Sequence, residues 1–402
     1  MKKFNYLAIA TMAISMVACS SDDNLASNDG NAGGDVNGLD AIELSVSNPS
    51  TMISAKGTGV VGGISTESNV WKNEQVNIYM LEKGTMNLAY FNSEDKDAGI
   101  PIFGGSAFIT PNESASGIAN TADGSIKYYP PTGMFDFWGY RLDDCVQEAA
   151  VTTEEQISIN FTLDGSQDIM VGKAVPAQTG PGTPGARAYS AYAARNGVQP
   201  EISFKHLLTR LTFQTTPSAS AQGVCDDELG VYIEKVSVKA KNQGTLLVAC
   251  TDESKIGNGQ LQMSDAEAVE IFLKDATKTE GKLNDLVPIH PKWDNEEDKP
   301  DTIDVGESVM IPAADKYELI FYLKQKVNKG NNVVEDVRYE MPWTLDPSTS
   351  DSESLSDKTK FLPGHSYNVL VTINGLKEIQ VTTTLEPWID GGTISINPED
   401  QE

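Results

Sequence analysis

Ile157-Ser158-Ile159-Asn160-Phe161-Thr162-Leu163 and Val231-Tyr232-Ile233-Glu234-Lys235-Val236-Ser237-Val238 are the stretches on which the fold turns. Apolar and polar residues alternate along them, the period of a β-strand with one face in a core and one in water. Shorter runs of the same kind extend in both directions: Ile42-Glu43-Leu44-Ser45-Val46, Val76 to Leu81, Ile202-Ser203-Phe204, Leu211 to Gln214, Glu318 to Leu323 and Tyr367 to Ile373. Ile126 to Tyr129 and Phe135 to Tyr140 flank Pro130-Pro131-Thr132-Gly133, a turn signal that predicts a hairpin or adjacent strands. Each half-apolar strand must bury one face against a second layer. The expectation is an all-β protein built of β-sandwiches.

The chain has 402 residues, enough for two or three domains at roughly 150 residues each. Residues 176–200 are dominated by Pro, Gly, Ala and Ser, with Arg187 and Arg195 inside them, and read as a long surface loop or interdomain linker. The chain is therefore divided near residue 200, into β-sandwich domains over 41–200 and 201–402, in series. Acidic residues outnumber basic ones by 57 to 30, a formal net charge of −27, which repels nucleic-acid phosphates and anionic membrane surfaces. Only three histidines are present, which argues against zinc chemistry and histidine-based acid–base work.

The N-terminus reads as an address. Lys2 and Lys3 precede an apolar run from Tyr6 to Ala18, about the length of a signal-peptide core. It ends in Met16-Val17-Ala18-Cys19, which resembles a bacterial lipoprotein box, so residues 1–18 are assigned as signal peptide and Cys19 as the lipid-bearing first residue of the mature chain. Ser20-Ser21-Asp22-Asp23 resembles the surface-export signal of Bacteroidetes lipoproteins, and residues 19–40 as a whole read as a flexible tether. No other stretch approaches the ~18 continuous apolar residues of a membrane span, leaving lipid as the attachment to the outer membrane. Export exposes the remaining cysteines, Cys145, Cys225 and Cys250, to an oxidising compartment. Cys225 paired with Cys250 and three buried thiols are both open readings.

Several strings that look chemical do not carry chemistry. Gly57-x-Gly59-x-x-Gly62 matches a dinucleotide fingerprint but no helical periodicity follows it, and Gly180-Pro181-Gly182-Thr183-Pro184-Gly185 spends its positions on prolines with no N–H for a phosphate. Asp294-Asn295-Glu296-Glu297-Asp298 lacks the glycine and ligand spacing of a calcium loop. His206, His290 and His365 have no second ligand at metal spacing and read as hydrogen-bonded structural histidines. There is no Gly-x-Ser-x-Gly elbow. We expect no enzyme, no cofactor and no metal site. A carboxylate-dependent glycosidase stands as a rival, because its acid pair needs no sequence proximity.

Five stretches, in order, resemble the fimbrillin family of Bacteroidales, specifically the Mfa-like lipoproteins that build or decorate type V pili. They are Tyr128-Tyr129-Pro130 with Phe135-Asp136-Phe137-Trp138-Gly139-Tyr140; Asp168-Ile169-Met170; Phe204-Lys205-His206-Leu207-Leu208-Thr209-Arg210-Leu211-Thr212-Phe213; Phe361-Leu362-Pro363-Gly364-His365-Ser366-Tyr367 running on to Leu376; and Leu385-Glu386-Pro387-Trp388. The resemblance implies two transthyretin-like β-sandwich domains end to end, and assembly by strand exchange. In that scheme a trypsin-like protease releases the lipid and an N-terminal strand, and the emptied groove accepts a strand from a neighbouring subunit.

Placed on this sequence, the resemblance makes Ile42, Leu44 and Val46 the groove-filling face of the removable strand. Lys56-Gly57 is the cleavage candidate; the best-known members carry Arg there, and an arginine-specific protease would not cut after Lys56. Ile394 and Ile396 belong either to a donor strand or to the last strand of their own domain, and the short tail favours the second. The aromatics Tyr128, Tyr129, Phe137, Trp138 and Trp388 are expected in the core rather than as glycan platforms. The implied function is a structural or adhesive subunit of a surface-exposed fimbria, a tip or accessory subunit before a shaft subunit. Its partners are other fimbrial subunits, the protease, the outer membrane through lipid, and surface ligands of host or bacteria. The alternative is a glycan-binding surface lipoprotein that does not polymerise.

Overall fold

Alternation becomes layers because each strand has one face that water rejects. The computed structural model describes residues 38–47, 75–109, 125–142, 145–176, 188–216, 231–274, 287–288, 303–329, 334–349, 357–375, 378–384 and 394–395. All of them lie in one unit, Asp35–Glu402. The secondary structure is almost entirely β-strand, as the alternating runs predict.

Two sheets form the first sandwich. One orders its strands Lys205–His206, Met170–Lys173, Phe135–Arg141, Val76–Glu82, Gly104–Ile109, all antiparallel. The other orders Leu261–Met263, Gln243–Cys250, Gln156–Thr162, Val146–Gln147, with Val151–Thr152 also on Gln156–Thr162. Trp138, Tyr140 and Leu81 on the first sheet meet Ile157, Ile159, Leu246 and Val248 on the second in a shared core. Strands from both sides of residue 200 thus build this sandwich.

The outer face of the first sheet carries a second core, with Ile78, Met80, Phe137, Tyr189, Ile202 and Phe204. Phe137 meets Tyr189 edge to face, centroids 5.5 Å apart at 84°. The paired glycines Gly139 and Gly172 let Ile202 and Phe204 approach this face. A Cβ at Gly172 would stand 2.6 Å from the Ser203 carbonyl oxygen and 2.6 Å from Ile202 Cγ2. Gly172→Ala should therefore cost ~1–3 kcal/mol in urea unfolding. A cost below about 0.5 kcal/mol would mean that the 201–203 strand yields freely and is not held by this approach.

The second sandwich follows in sequence. One sheet orders Ile303–Asp304, Thr209–Thr216, Ser366–Gly375, Glu378–Thr384, Ile394–Ser395, with Val309–Ile311 also on Thr209–Thr216; the Thr209–Thr216/Ser366–Gly375 pairing is parallel. The other orders Val269–Phe272, Val231–Ala240, Tyr317–Asn328, Val334–Leu345. Their facing sides share a core of Phe213, Val236, Val238, Phe321, Leu323 and Tyr367.

The composition of 176–200 pointed to a loop or linker, and from residue 188 onward the chain is instead packed. Tyr189 is buried, the Phe135 N–H donates to its carbonyl at 2.9 Å, and a short helix, Ala191–Arg195, follows. The Ser190 hydroxyl caps that helix by accepting from the Ala193 N–H at 3.1 Å. Small alanines fit under a sheet face as readily as they tolerate water, so composition alone misplaced them.

Candidate functional site

The first chain segment described, residues 38–47, is laid into the outer core by bonds along both of its edges. The Tyr129 N–H donates to the Asp40 carbonyl at 2.9 Å and the Ile42 N–H to the Lys127 carbonyl at 2.8 Å. On the opposite edge the Ser45 N–H donates to the Pro200 carbonyl at 3.0 Å, and Ser45–Ser47 then runs parallel to Glu201–Ser203. The Gln199 amide clamps the segment between these points: its Oε1 accepts from the Glu43 N–H at 3.2 Å and its Nε2 donates to the Ala41 carbonyl at 3.2 Å. At the surface Arg195 Nε donates to both Asp40 oxygens, at 2.7 and 2.9 Å.

Ile42 and Leu44, spaced by two, point the same way and are 6% and 1% exposed. They pack with Tyr129, Phe137, Ile202 and Phe204. Full burial of such side chains stabilises by ~1.5–3 kcal/mol each. Without the segment, the seat would present an apolar floor and unpaired backbone groups, a combination that a β-strand satisfies. The backbone of Val46 pairs with Ile202; its side chain, like Cys19, Lys56, Gly57, Cys225, Ile396 and Trp388, lies outside the described residues. Ile394–Ser395 is an edge strand antiparallel to Glu378–Thr384 of its own chain.

A second constellation lies where the two sandwiches join. His206 Nδ1 is 2.7 Å from Asp168 Oδ2, and both side chains are 0% exposed. Arg210 is buried beside them. Burial pulls its guanidinium down to about 10, against the opposing pull of the Asp168 charge. Three of the five quoted stretches meet here. The Leu207 N–H donates to the Ile169 carbonyl at 2.9 Å, the Arg210 N–H to the His365 carbonyl at 3.0 Å, and the Gly364 N–H to the Leu208 carbonyl at 2.8 Å. The Thr209 hydroxyl donates to the Leu362 carbonyl at 3.0 Å. Gly364 makes this turn at φ +70°. His206 is thus a buried, hydrogen-bonded histidine, as the lack of a second ligand at metal spacing led us to expect. Its partner Asp168 lies 38 residues away in another of the quoted stretches, and nothing local in the sequence signalled their pairing.

Tyr129, Phe137 and Trp138 are core residues, in line with the sequence reading, whereas Tyr128 is only half-buried. Cys145 and Cys250 are buried thiols in the core of the first sandwich, and burial raises the Cys250 thiol above its ordinary range. Among the described residues no group of three or more His, Cys, Asp or Glu side chains is arranged to hold a metal, and no helix is long and apolar enough to cross a membrane.

No curated protein matches the chain. Among solved structures it is similar to a candidate cell adhesion protein of Bacteroides uniformis, at 15% identity, TM-score 0.44, covering 89% of this chain and 100% of that one. It is similar to a fimbrial protein of Bacteroides vulgatus at 10% identity and TM-score 0.42, covering 87% and 99%. The fimbrial anchor protein Mfa2 of Porphyromonas gingivalis is similar at 8% identity and TM-score 0.34, covering 89% and 100%. The family model described as fimbrillin-like matches residues 65–388, most of the chain. With that match, the chain belongs to the fimbrillin-like family.

Proposed function

We propose that the protein is a structural or adhesive subunit of a cell-surface fimbria, assembled by exchange of β-strands between subunits. Family membership supports a fimbrial or adhesin subunit at the cell surface, and a structural rather than enzymatic one. The observation that carries the finer reading is the seat of residues 38–47: a segment ending in the strand Ser45–Ser47, bonded along both edges, with Ile42 and Leu44 as its apolar teeth. In this reading Cys19 carries the lipid that holds the precursor in the outer membrane. A trypsin-like protease cuts after Lys56, before Gly57, and the 38–47 strand leaves with the lipid. A strand from the next subunit then takes the seat. Many ladder bonds and buried alternate side chains make such a joint slow to open. Ile394–Ser395 pairs within its own sheet, which favours a tip or accessory subunit over a shaft subunit. The two domains divide near residue 200, with Gln243–Cys250 and Leu261–Met263 reaching back to the first sandwich.

The test is a limited digest of the chain from residue 20 with a lysine-specific protease, run unboiled on a denaturing gel beside Lys56→Ala. The expected result is a cut at Lys56 followed by a ladder of multimers that the variant does not form. A cut that leaves stable monomers would overturn polymerisation by strand exchange and favour a free-standing glycan-binding lipoprotein.

A further inference from the structure

The first sandwich opens at one end into a cleft of about 750 Å³, between its two sheets. That volume falls within the ~300–1,000 Å³ of small-molecule sites. Strand register explains what lines it. Trp138 stands directly opposite Lys173, and Lys205 opposite Val171, so these side chains share the sheet face that looks into the cleft. Lys83 lines the same cleft, so three lysines converge there against two acids, Asp136 and Glu253. In a chain of net charge −27 this is a local reversal of sign.

Some of the donors gathered there have no acceptor among the described residues. Trp138 is 1% exposed and its indole N–H has no hydrogen-bond acceptor among the described residues. A buried donor left in that state costs free energy, which an acceptor entering the cleft would recover. The Lys173 ammonium lies over the Trp138 ring, 4.6 Å from its centroid, and neither Lys173 nor Lys205 has a carboxylate partner among the described residues. The cleft is also lined by apolar Met86 and Ile256 and by the hydroxyl residues Ser203 and Thr251.

We propose that this cleft binds an acidic sugar. The sugar's carboxylate takes Lys173 and Lys205, its hydroxyls meet Ser203, Thr251 and Asp136, and its apolar ring face lies on Met86 and Ile256. Lys173 moves from the Trp138 ring face to the carboxylate on binding, which changes the electrostatic surroundings of the indole. Most of the site belongs to the first sandwich, with Ser203 on the strand that pairs with Ser45–Ser47; sugar binding is read without polymerisation, so failure of either reading leaves the other standing.

The test follows tryptophan emission as D-glucuronate is added to the full chain, with binding measured in parallel by calorimetry. A saturable emission change is expected, absent in Trp138→Phe, which keeps the ring packing but removes the indole. Lys173→Gln with Lys205→Gln should weaken binding by about tenfold or more, the scale of hydrogen bonds to a charged group. An oligoglucuronide that binds more tightly than the monomer, and loses its binding in the same double variant, would identify a polymer rather than a free sugar as the source. Three outcomes would each overturn the proposal: no binding of glucuronate, D-glucose or acetate binding as well as glucuronate, or an emission change that survives in Trp138→Phe.

Discussion

Leu44→Ala should lower the unfolding free energy by about 2–5 kcal/mol, while Glu43→Ala beside it should leave it nearly unchanged. Leu44 is 1% exposed and sits among Ile202, Phe204 and Phe137, whereas Glu43 is only partly buried and contributes its backbone N–H, which alanine keeps. The cost has two parts: the transfer of the lost methyl and methylene groups, and the cavity left in a core bounded by aromatic rings that cannot collapse inward. Urea unfolding of both variants checks it. Equal effects of the two substitutions would mean that the 38–47 segment is not seated by its apolar face, and the strand-exchange reading would lose its physical basis. In the proposed scheme the same substitution should speed loss of the segment once the chain is cut after Lys56, because the contacts of Leu44 would resist extraction.

Asp168→Ala should be more damaging than its distance from any surface groove suggests, costing about 3–5 kcal/mol and roughly 10 °C in Tm. Asp168 is the carboxylate facing both His206 and Arg210 in a region closed to water. Removing it takes away the negative charge that offsets the burial of the Arg210 guanidinium, and the penalty is that of desolvation rather than of a lost contact. The exposed pair Arg195–Asp40 provides the control: Arg195 is 59% exposed at the side chain, and Arg195→Ala should move Tm far less. Thermal unfolding of the two variants separates them. Similar shifts would show that the junction between the sandwiches does not depend on Asp168.

Strands were legible wherever one face alone is buried. Ile157 to Leu163 alternates and forms Gln156–Thr162, with Ile157, Ile159 and Phe161 inward. Val231 to Val238 forms Val231–Ala240, but its two adjacent polar residues, Glu234 and Lys235, mark an irregularity. The register with Tyr317–Asn328 shifts between Ile233 and Lys235, which lets Ile233, Val236 and Val238 all reach the core. The Ala-rich stretch before residue 200 was not legible, because small residues suit a loop and a tightly covered sheet face equally well. Trp138 was legible as core, yet the donor-rich cleft around it was not: Lys173, Lys205 and Thr251 are scattered over 79 residues and meet only through strand pairing.

By itself, then, the sequence determined the all-β class, the inward teeth Ile42 and Leu44, and the family stretches, because each depends on residues within one strand or one turn. Tertiary structure alone decided what those pieces face. Which strand flanks residues 38–47, which acid pairs with His206, and which lysines share a cleft depend on sheet order and register. Those are set by the joint burial of many faces at once, and no local window of the chain contains that sum.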